Sequence, residues 1–374
     1  MSNRVDRLAE DEKLGVCYVV AYRDPGYVRT RNIRAALQRL SDCAVYDATN
    51  RRPGWTRYFE TIGKAIRIRL RHNPDVYILG FRGHEIFWIV RLIAMGKRLV
   101  FDEFMSPSDA LISEKKFGRF GKALGHIVSP LERFCLRKSD HCITDTLMHK
   151  DFIANHFSVA SDNIDVVYVG ATTPEFDKGR GSKPARADSK DILNVLFYGT
   201  FLPLHGMNVI LKACQLMKEK SIVFHIIGGK GKALADFRKT RDELKLSNVR
   251  HRTWVDLDEL QSVYIPRADL CLGGPFGGTP QAMRVITGKA MQFLAQSKPT
   301  IIGRTDEPAG FVDQENCLLV EQASPRHLAE VLDWAIANKE RLPEIGRNGR
   351  KLFQERFSVE AIAEQLKPAL SARR

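Results

Sequence analysis

Short β-branched and aromatic runs recur along this chain at intervals that suit parallel strands: VCYVVAY from Val16, CAVYD from Cys43, DVYILG from Asp75, RLVFD from Arg98, HCITD from His141 and DVVYVG from Asp165. Most are separated by roughly 10 to 20 residues with helical spacing, and parallel strands need crossovers of about that length. The first half therefore reads as a doubly wound α/β sheet. From Gly170 to Asp191 the text becomes GATTPEFDKGRGSKPARADSKD, which has no periodic apolar positions and marks a boundary. The alternation then restarts with ILNVLFYG, a helix from Met207 to Glu219, SIVFHIIGG, a helix near Ala233 to Leu244, NVRHRTWV, DLCLGG, a helix near Val285 to Gln296, PTIIG and NCLLV. A second α/β sheet is expected there.

A chain of 374 residues has room for two such domains, each with its own core. Hydrophobic residues at 44%, charged residues at 27% and only 16 prolines exclude disordered, collagen-like and coiled-coil chains. The best membrane-span candidate, Ile86 to Phe101, is too short and carries Arg91, Lys97 and Arg98. The opening MSNRVDRLAEDEKLG mixes both charge signs and lacks the apolar stretch of a secretory signal, so a cytoplasmic placement is expected. Seven scattered cysteines without a Cys-x-x-Cys pair fit a reducing compartment. The net charge of +14 selects anionic partners: nucleic acid, nucleotide phosphates or an acidic membrane face.

Strand ends in the second half carry glycine: Gly199 after VLFY, Gly228 and Gly229 after FHII, Gly273 and Gly274 after LCL. Ligands of open parallel sheets bind beyond the carboxyl ends of strands, where glycine admits phosphates close to the backbone. Three such edges in one domain suggest a nucleotide, although glycine is also common in ordinary strand-to-helix turns.

The segments VLFYGTFLPLHGMNVILKACQLM, FHIIGGKGKAL, TWVDLDELQSVYIPRADLCLGGPFGGTPQAMRVITGKAMQFLAQSKPTIIG and GRNGRKLFQERFSVEAIAEQL together resemble the C-terminal domain of family 4 glycosyltransferases across about half the chain. The first half is similar more weakly, through DPGYVRTRN, RLVFDEFMSPSD and LERFCLRKSDHCITDTLMHKDF. The resemblance implies the GT-B architecture: two Rossmann-like domains facing across a cleft, nucleotide sugar held mainly by the second and acceptor by the first. It implies an N-terminal acceptor domain over 1–172, a donor domain over 173–356 and a crossover helix over 357–374 that returns to the first domain. It also implies transfer with retention of configuration, no cofactor, no catalytic metal, and the donor phosphate as the base that takes the acceptor proton.

Residue by residue, the resemblance places donor binding at Gly26 in the turn after the first strand, and at Gly199, Thr200, His205, Gly229, Lys230, Thr287, Gly288 and Gln292 in the second half. In the family, the turn after the first strand of the second domain carries an Arg and then a Lys; here Thr200 and His205 stand in their places, so phosphate grip passes to Arg284 and Lys289. The family's Glu-x7-Glu element maps to Arg284 to Gln292 with both acids missing. Gln292 can still accept from a ribose hydroxyl, and Thr287, Gly288 and Lys289 begin a helix suited to anions. A histidine is common in the family at the end of the fourth strand of the first domain, where this chain reads Asp102-Glu103-Phe104. Either carboxylate could orient a sugar hydroxyl or the nucleophile, or equally cap a helix; Asp102 is the catalytic candidate beside Arg284 and Lys289.

Asp256 and Asp258 form an Asp-x-Asp, which binds metal in another glycosyltransferase fold, but capping of a helix starting at Glu259 is favoured. No His or Cys cluster has zinc spacing. GGKG at 228–231 lacks Walker spacing. Between residues 61 and 138, fifteen Lys and Arg stand against seven Asp and Glu, interleaved with aromatic and aliphatic residues in GKAIRIRLRH and KKFGRFGKALGHIVSPLERFCLRK. That pattern suits an anionic membrane surface or a plain solvated face, and nucleic acid poorly. The expectation is a glycosyltransferase acting on a nucleoside diphosphate sugar and a saccharide or lipid-linked saccharide, peripheral on the inner membrane face. A catalytically degenerate GT-B binding protein is the alternative, motivated by Thr200, His205 and the missing glutamates.

Overall fold

The computed structural model describes residues 13–112, 118–171 and 192–371. Contacts divide the chain into two units, residues 1–170 with 358–374, and residues 171–357. Most of the linker text and the first two lysines of KKFGRF lie outside the described residues.

In the first unit, β1 (Leu14–Val20), β2 (Cys43–Thr49), β3 (Val76–Leu79), β4 (Arg98–Asp102), β5 (His141–Thr144) and β6 (Ile164–Val166) form one sheet in the order β2-β1-β3-β4-β5-β6. Every ladder is parallel. The crossovers run through α1 (Val28–Arg39), α2 (Thr56–His72), α3 (Phe87–Ile93), α4 (Pro107–Ile112), α5 (Gly118–Lys138) and α6 (Leu147–Phe157). β3 is buried at every position, the mark of a strand covered on both faces. One face packs Cys17, Val19, Tyr77, Leu79, Leu99 and Phe101 against Phe87, Val90, Ile153 and Phe157.

In the second unit, β7 (Leu193–Gly199), β8 (Ile222–Gly228), β9 (Val249–Arg252), β10 (Leu270–Leu272), β11 (Thr300–Gly303) and β12 (Leu318–Val320) are ordered β12-β11-β10-β7-β8-β9, again all parallel. Its helices are α7 (Met207–Leu216), α8 (Gly231–Glu243), α9 (Gly288–Ala295), α10 (Pro325–Ala337) and α11 (Leu342–Arg356). The helix expected from Val285 begins three residues later, because Val285 is extended (ψ 149°) and Thr287 takes the cap, its hydroxyl accepting from the Ala290 N–H. The Asp-x-Asp reading also needs correction. The helical turn starts at Leu257 with Asp256 in the cap position, where its side chain makes no cap hydrogen bond, and Asp258 lies inside the turn.

α12 (Val359–Ser371) belongs to the first unit. Ile362, Ala363, Leu366, Ala369 and Leu370 bury their side chains with Val16, Tyr18, Val20, Ile33 and Leu37, completing the second face of the first sheet. The Arg98 Nε–H donates to the Ala369 carbonyl at 2.9 Å, and the Tyr168 N–H to Gln365 Oε1 at 2.9 Å.

Candidate functional site

Open parallel sheets bind ligands where neighbouring strands send their connections to opposite faces. In the second sheet that point lies between β7 and β10, which are paired in space but far apart in sequence. Gly199 ends β7 opposite Gly228 at the end of β8. The φ of Gly228 is 116°, and a Cβ there would sit 2.0 Å from the Gly199 carbonyl oxygen, so no other residue fits. Gly229, at φ 91°, donates its N–H to that same carbonyl at 2.9 Å and leaves room for the Phe201 ring. Phe201 itself is buried at φ 60°, a conformation rare for an aromatic residue, and is held by Phe237 with ring centroids 5.0 Å apart.

Behind this edge sits Lys289, 7% exposed, in the first turn of α9. Its Nζ lies 4.9 Å from the centroid of Phe197 and has no hydrogen-bond partner. Burial pushes its pKa down to about 7. An anion placed beside such a lysine would favour its charged form. His205 is buried as well; its Nδ1 accepts from the Leu202 N–H at 3.2 Å, and burial, followed by the Lys289 charge, holds the imidazole neutral. Thr287 Oγ1 donates to the Gly273 carbonyl at 2.6 Å, which pins the start of α9 to the end of β10. Gln292 Oε1 accepts from the Tyr198 hydroxyl, so the oxygen expected to meet a ribose already has one donor.

The sequence-predicted donor residues thus divide. Gly199, His205, Gly229, Thr287, Gly288, Lys289 and Gln292 gather around the ends of β7, β8 and β10, whereas Thr200 and Lys230 are exposed at the rim. Arg284 is half-buried in a short turn preceding α9. Phe197, Phe201 and Tyr198 escaped the sequence reading, since inside VLFYGTF they are indistinguishable from ordinary strand residues.

In the first sheet the corresponding point lies between β1 and β3. Gly26 is exposed there, in a turn where its N–H donates to Asp24 Oδ1 at 3.1 Å. Aromatic rings collect beyond the strand ends: Tyr27 stacks on Phe81 at 4.7 Å, with Tyr22 and Phe104 edge-on to Phe81 at 4.8 and 5.3 Å. Asp102 does not face a substrate. Its carboxylate is fully buried and gripped by Arg29, whose Nη2 approaches Oδ1 at 2.8 Å and whose Nε donates to both oxygens at 3.2 and 3.1 Å. Arg29 Nη1 also donates to the carbonyls of Val167 and Tyr168. The expectation of a catalytic Asp102 is not met by this geometry, because both carboxylate oxygens are buried and taken by Arg29.

Glu103 occupies different surroundings. It is fully buried beside His84, from the turn after β3, and Glu132, from α5. Burial pushes Glu103 up to about 8 and Glu132 up to about 7, and holds His84 down at about 4. Separations of this length along the chain gave no zinc-like spacing, and GHE after a strand was the one local signal.

Sucrose-phosphate synthase from Thermosynechococcus elongatus superposes with a TM-score of 0.68 at 15% identity, covering 95% of this chain and 98% of that one. Anabaena HepE in complex with UDP and glucose gives 0.66 at 14%, covering 96% and 99%. A glycosyltransferase from Rickettsia africae gives 0.62 at 13%, covering 96% and 98%. The fold is GT-B. No family model and no curated protein matches the chain. Among the described residues, no helix is long and apolar enough to cross a membrane.

Proposed function

We propose that this protein is a metal-independent glycosyltransferase of the family 4 type, moving a hexosyl group from a nucleoside diphosphate sugar to a saccharide or lipid-linked saccharide with retention of configuration. The observation that carries the reading is Lys289, a buried and unpartnered amine at the ligand-binding edge of the second sheet. A diphosphate oxygen would supply its missing partner, and Arg284 would share the negative charge that builds as the sugar–phosphate bond breaks. The acceptor oxygen forms the new glycosidic bond, and its proton passes to the departing phosphate. The half-buried rings of Tyr22 and Tyr27, backed by the buried Phe81, offer an aromatic surface for an acceptor sugar. HepE, with its UDP and glucose, is the kind of relative this reading anticipates.

Thermal stabilisation against UDP, GDP, ADP, TDP and CMP tests the proposal. One nucleoside diphosphate should stabilise selectively, since a ligand at about 100 times its Kd adds ~2.7 kcal/mol. Silence from all five would favour the degenerate binding protein.

The membrane partner rests on a separate observation. Leu70 of α2, Trp88 and Leu92 of α3, Met95, and Ile127 and Leu131 of α5 are all exposed, in helices that also present Arg67, Arg71, Arg133 and Arg137. Trp88 and Phe134 touch at 4.7 Å between ring centroids, which joins α3 to α5 in one patch. Such a mixture of apolar and basic groups suits an anionic lipid surface on the cytoplasmic side. Vesicles containing phosphatidylglycerol should bind the protein, with release as salt rises toward ~1 M. Salt-independent binding, or none, would refute it.

A further inference from the structure

His84, Glu103 and Glu132 come from three separate elements and present one ligand atom each, all within 4.8 Å of one another. Glu103 is completely buried and Glu132 1% exposed, yet among the described ion pairs neither meets a Lys or Arg. His84 Nε2 approaches Glu103 Oε2 at 2.8 Å without making a hydrogen bond. Both Glu103 oxygens, both His84 nitrogens and Glu132 Oε1 have no hydrogen-bond partner, while Glu132 Oε2 accepts from the Ser108 N–H at 3.0 Å. Five orphaned polar atoms are costly in a protein interior. One atom from each residue lies within 4.8 Å of the others, so a cation between them would give all three side chains a partner.

We propose that His84, Glu103 and Glu132 bind a first-row divalent cation, Zn2+ by preference, at the carboxyl edge of the first sheet. One imidazole and two carboxyl groups supply three ligands; the carboxyls release the protons they hold as the metal binds, and the resulting charge of about −2 is neutralised by a divalent ion. Zinc–ligand bonds of ~2.0–2.2 Å at the tetrahedral angle set two ligand atoms ~3.3–3.6 Å apart, so separations of up to 4.8 Å close by ~1.5 Å at most while the 2.8 Å between His84 Nε2 and Glu103 Oε2 opens slightly. Three protein ligands leave a fourth position open. Mg2+ keeps several waters and Ca2+ takes about 6–8 oxygens, and this buried pocket with an imidazole suits neither. The site is built from residues of the first unit and Lys289 belongs to the second, so the proposal stands whether or not a donor diphosphate binds.

The test uses the full chain stripped with EDTA, desalted and titrated with Zn2+, Mn2+, Mg2+ or Ca2+, reading metal content after gel filtration and the thermal midpoint. One equivalent of Zn2+ should be retained with a raised midpoint, while Mg2+ and Ca2+ leave both unchanged. Glu132→Gln and His84→Asn should each weaken Zn2+ binding by ~100-fold or more while keeping the wild-type circular dichroism. If Glu132→Gln fails to fold, His84→Asn, on a partly exposed turn, carries the comparison. Retention of well under one equivalent with no thermal shift would overturn the proposal. So would His84→Asn binding Zn2+ as tightly as wild type, since exposed histidines such as His72, His126 and His156 would then account for the metal.

Discussion

Lys289→Met should abolish donor binding and at the same time stabilise the protein. In the unfolded chain the amine holds its proton up to about pH 10.5, while in the folded chain it does so only below about pH 7. Between those values the unfolded chain carries the extra proton, so stability rises with pH across the window; below it the whole cost of burying an ammonium is present. Removing that cost should raise stability at neutral pH by on the order of 3 kcal/mol and flatten its dependence between about pH 7 and pH 10. Urea unfolding of both proteins across that range measures the effect. A mutant with the wild-type slope would mean that the amine is solvated in solution. For the wild type, the donor must bring a proton with it above about pH 7, so its affinity should fall toward ~tenfold per pH unit there. A mutant that still gains stability from the preferred nucleoside diphosphate would remove Lys289 from the donor site.

The second large effect concerns the Arg29–Asp102 pair. Arg29→Met leaves a carboxylate fully buried with no cation, and breaking a buried pair from one side costs about 3–5 kcal/mol, against a total stability of ~5–15 kcal/mol for a domain. The first unit should lose hydrogen-exchange protection in β1, β4 and α1, whereas β7 to β12 should keep theirs, since the pair lies in the first unit alone. Arg29→Met combined with Asp102→Leu should recover most of the loss, because two apolar groups of similar volume leave no orphaned charge. Equal stability of single mutant and wild type would show that water reaches Asp102.

The contrast between these two residues shows what could be read from the text alone. The strands announced themselves, from VCYVVAY to NCLLV, because an apolar run between turn residues is a local property that parallel pairing then uses. The glycines at 199, 228 and 229 were equally visible, and so was Lys289 beside a helix start. What could not be read was burial. Nothing in RVITGK distinguishes a lysine reaching solvent from one lying under Phe197, since that depends on which strand is the neighbour of β7. Asp102 and Glu103 are adjacent in the chain and point into different surroundings, one met by Arg29 from α1 and the other by His84 and Glu132. Their partners are fixed by strand order, and helix or strand periodicity carries no record of it.

The placement of α12 bears on how the chain is made. The second unit is continuous in sequence, so it can reach its native packing while synthesis is still under way. The first unit cannot, for Val16, Tyr18 and Leu37 meet Ile362, Leu366 and Leu370 only when the last helix has left the ribosome. For most of translation the earlier half waits with one face of its sheet covered only in part, by α1. Chaperone demand should therefore fall on the half that is synthesised first, and a chain cut short near residue 357 should release a folded second half attached to an aggregation-prone first one.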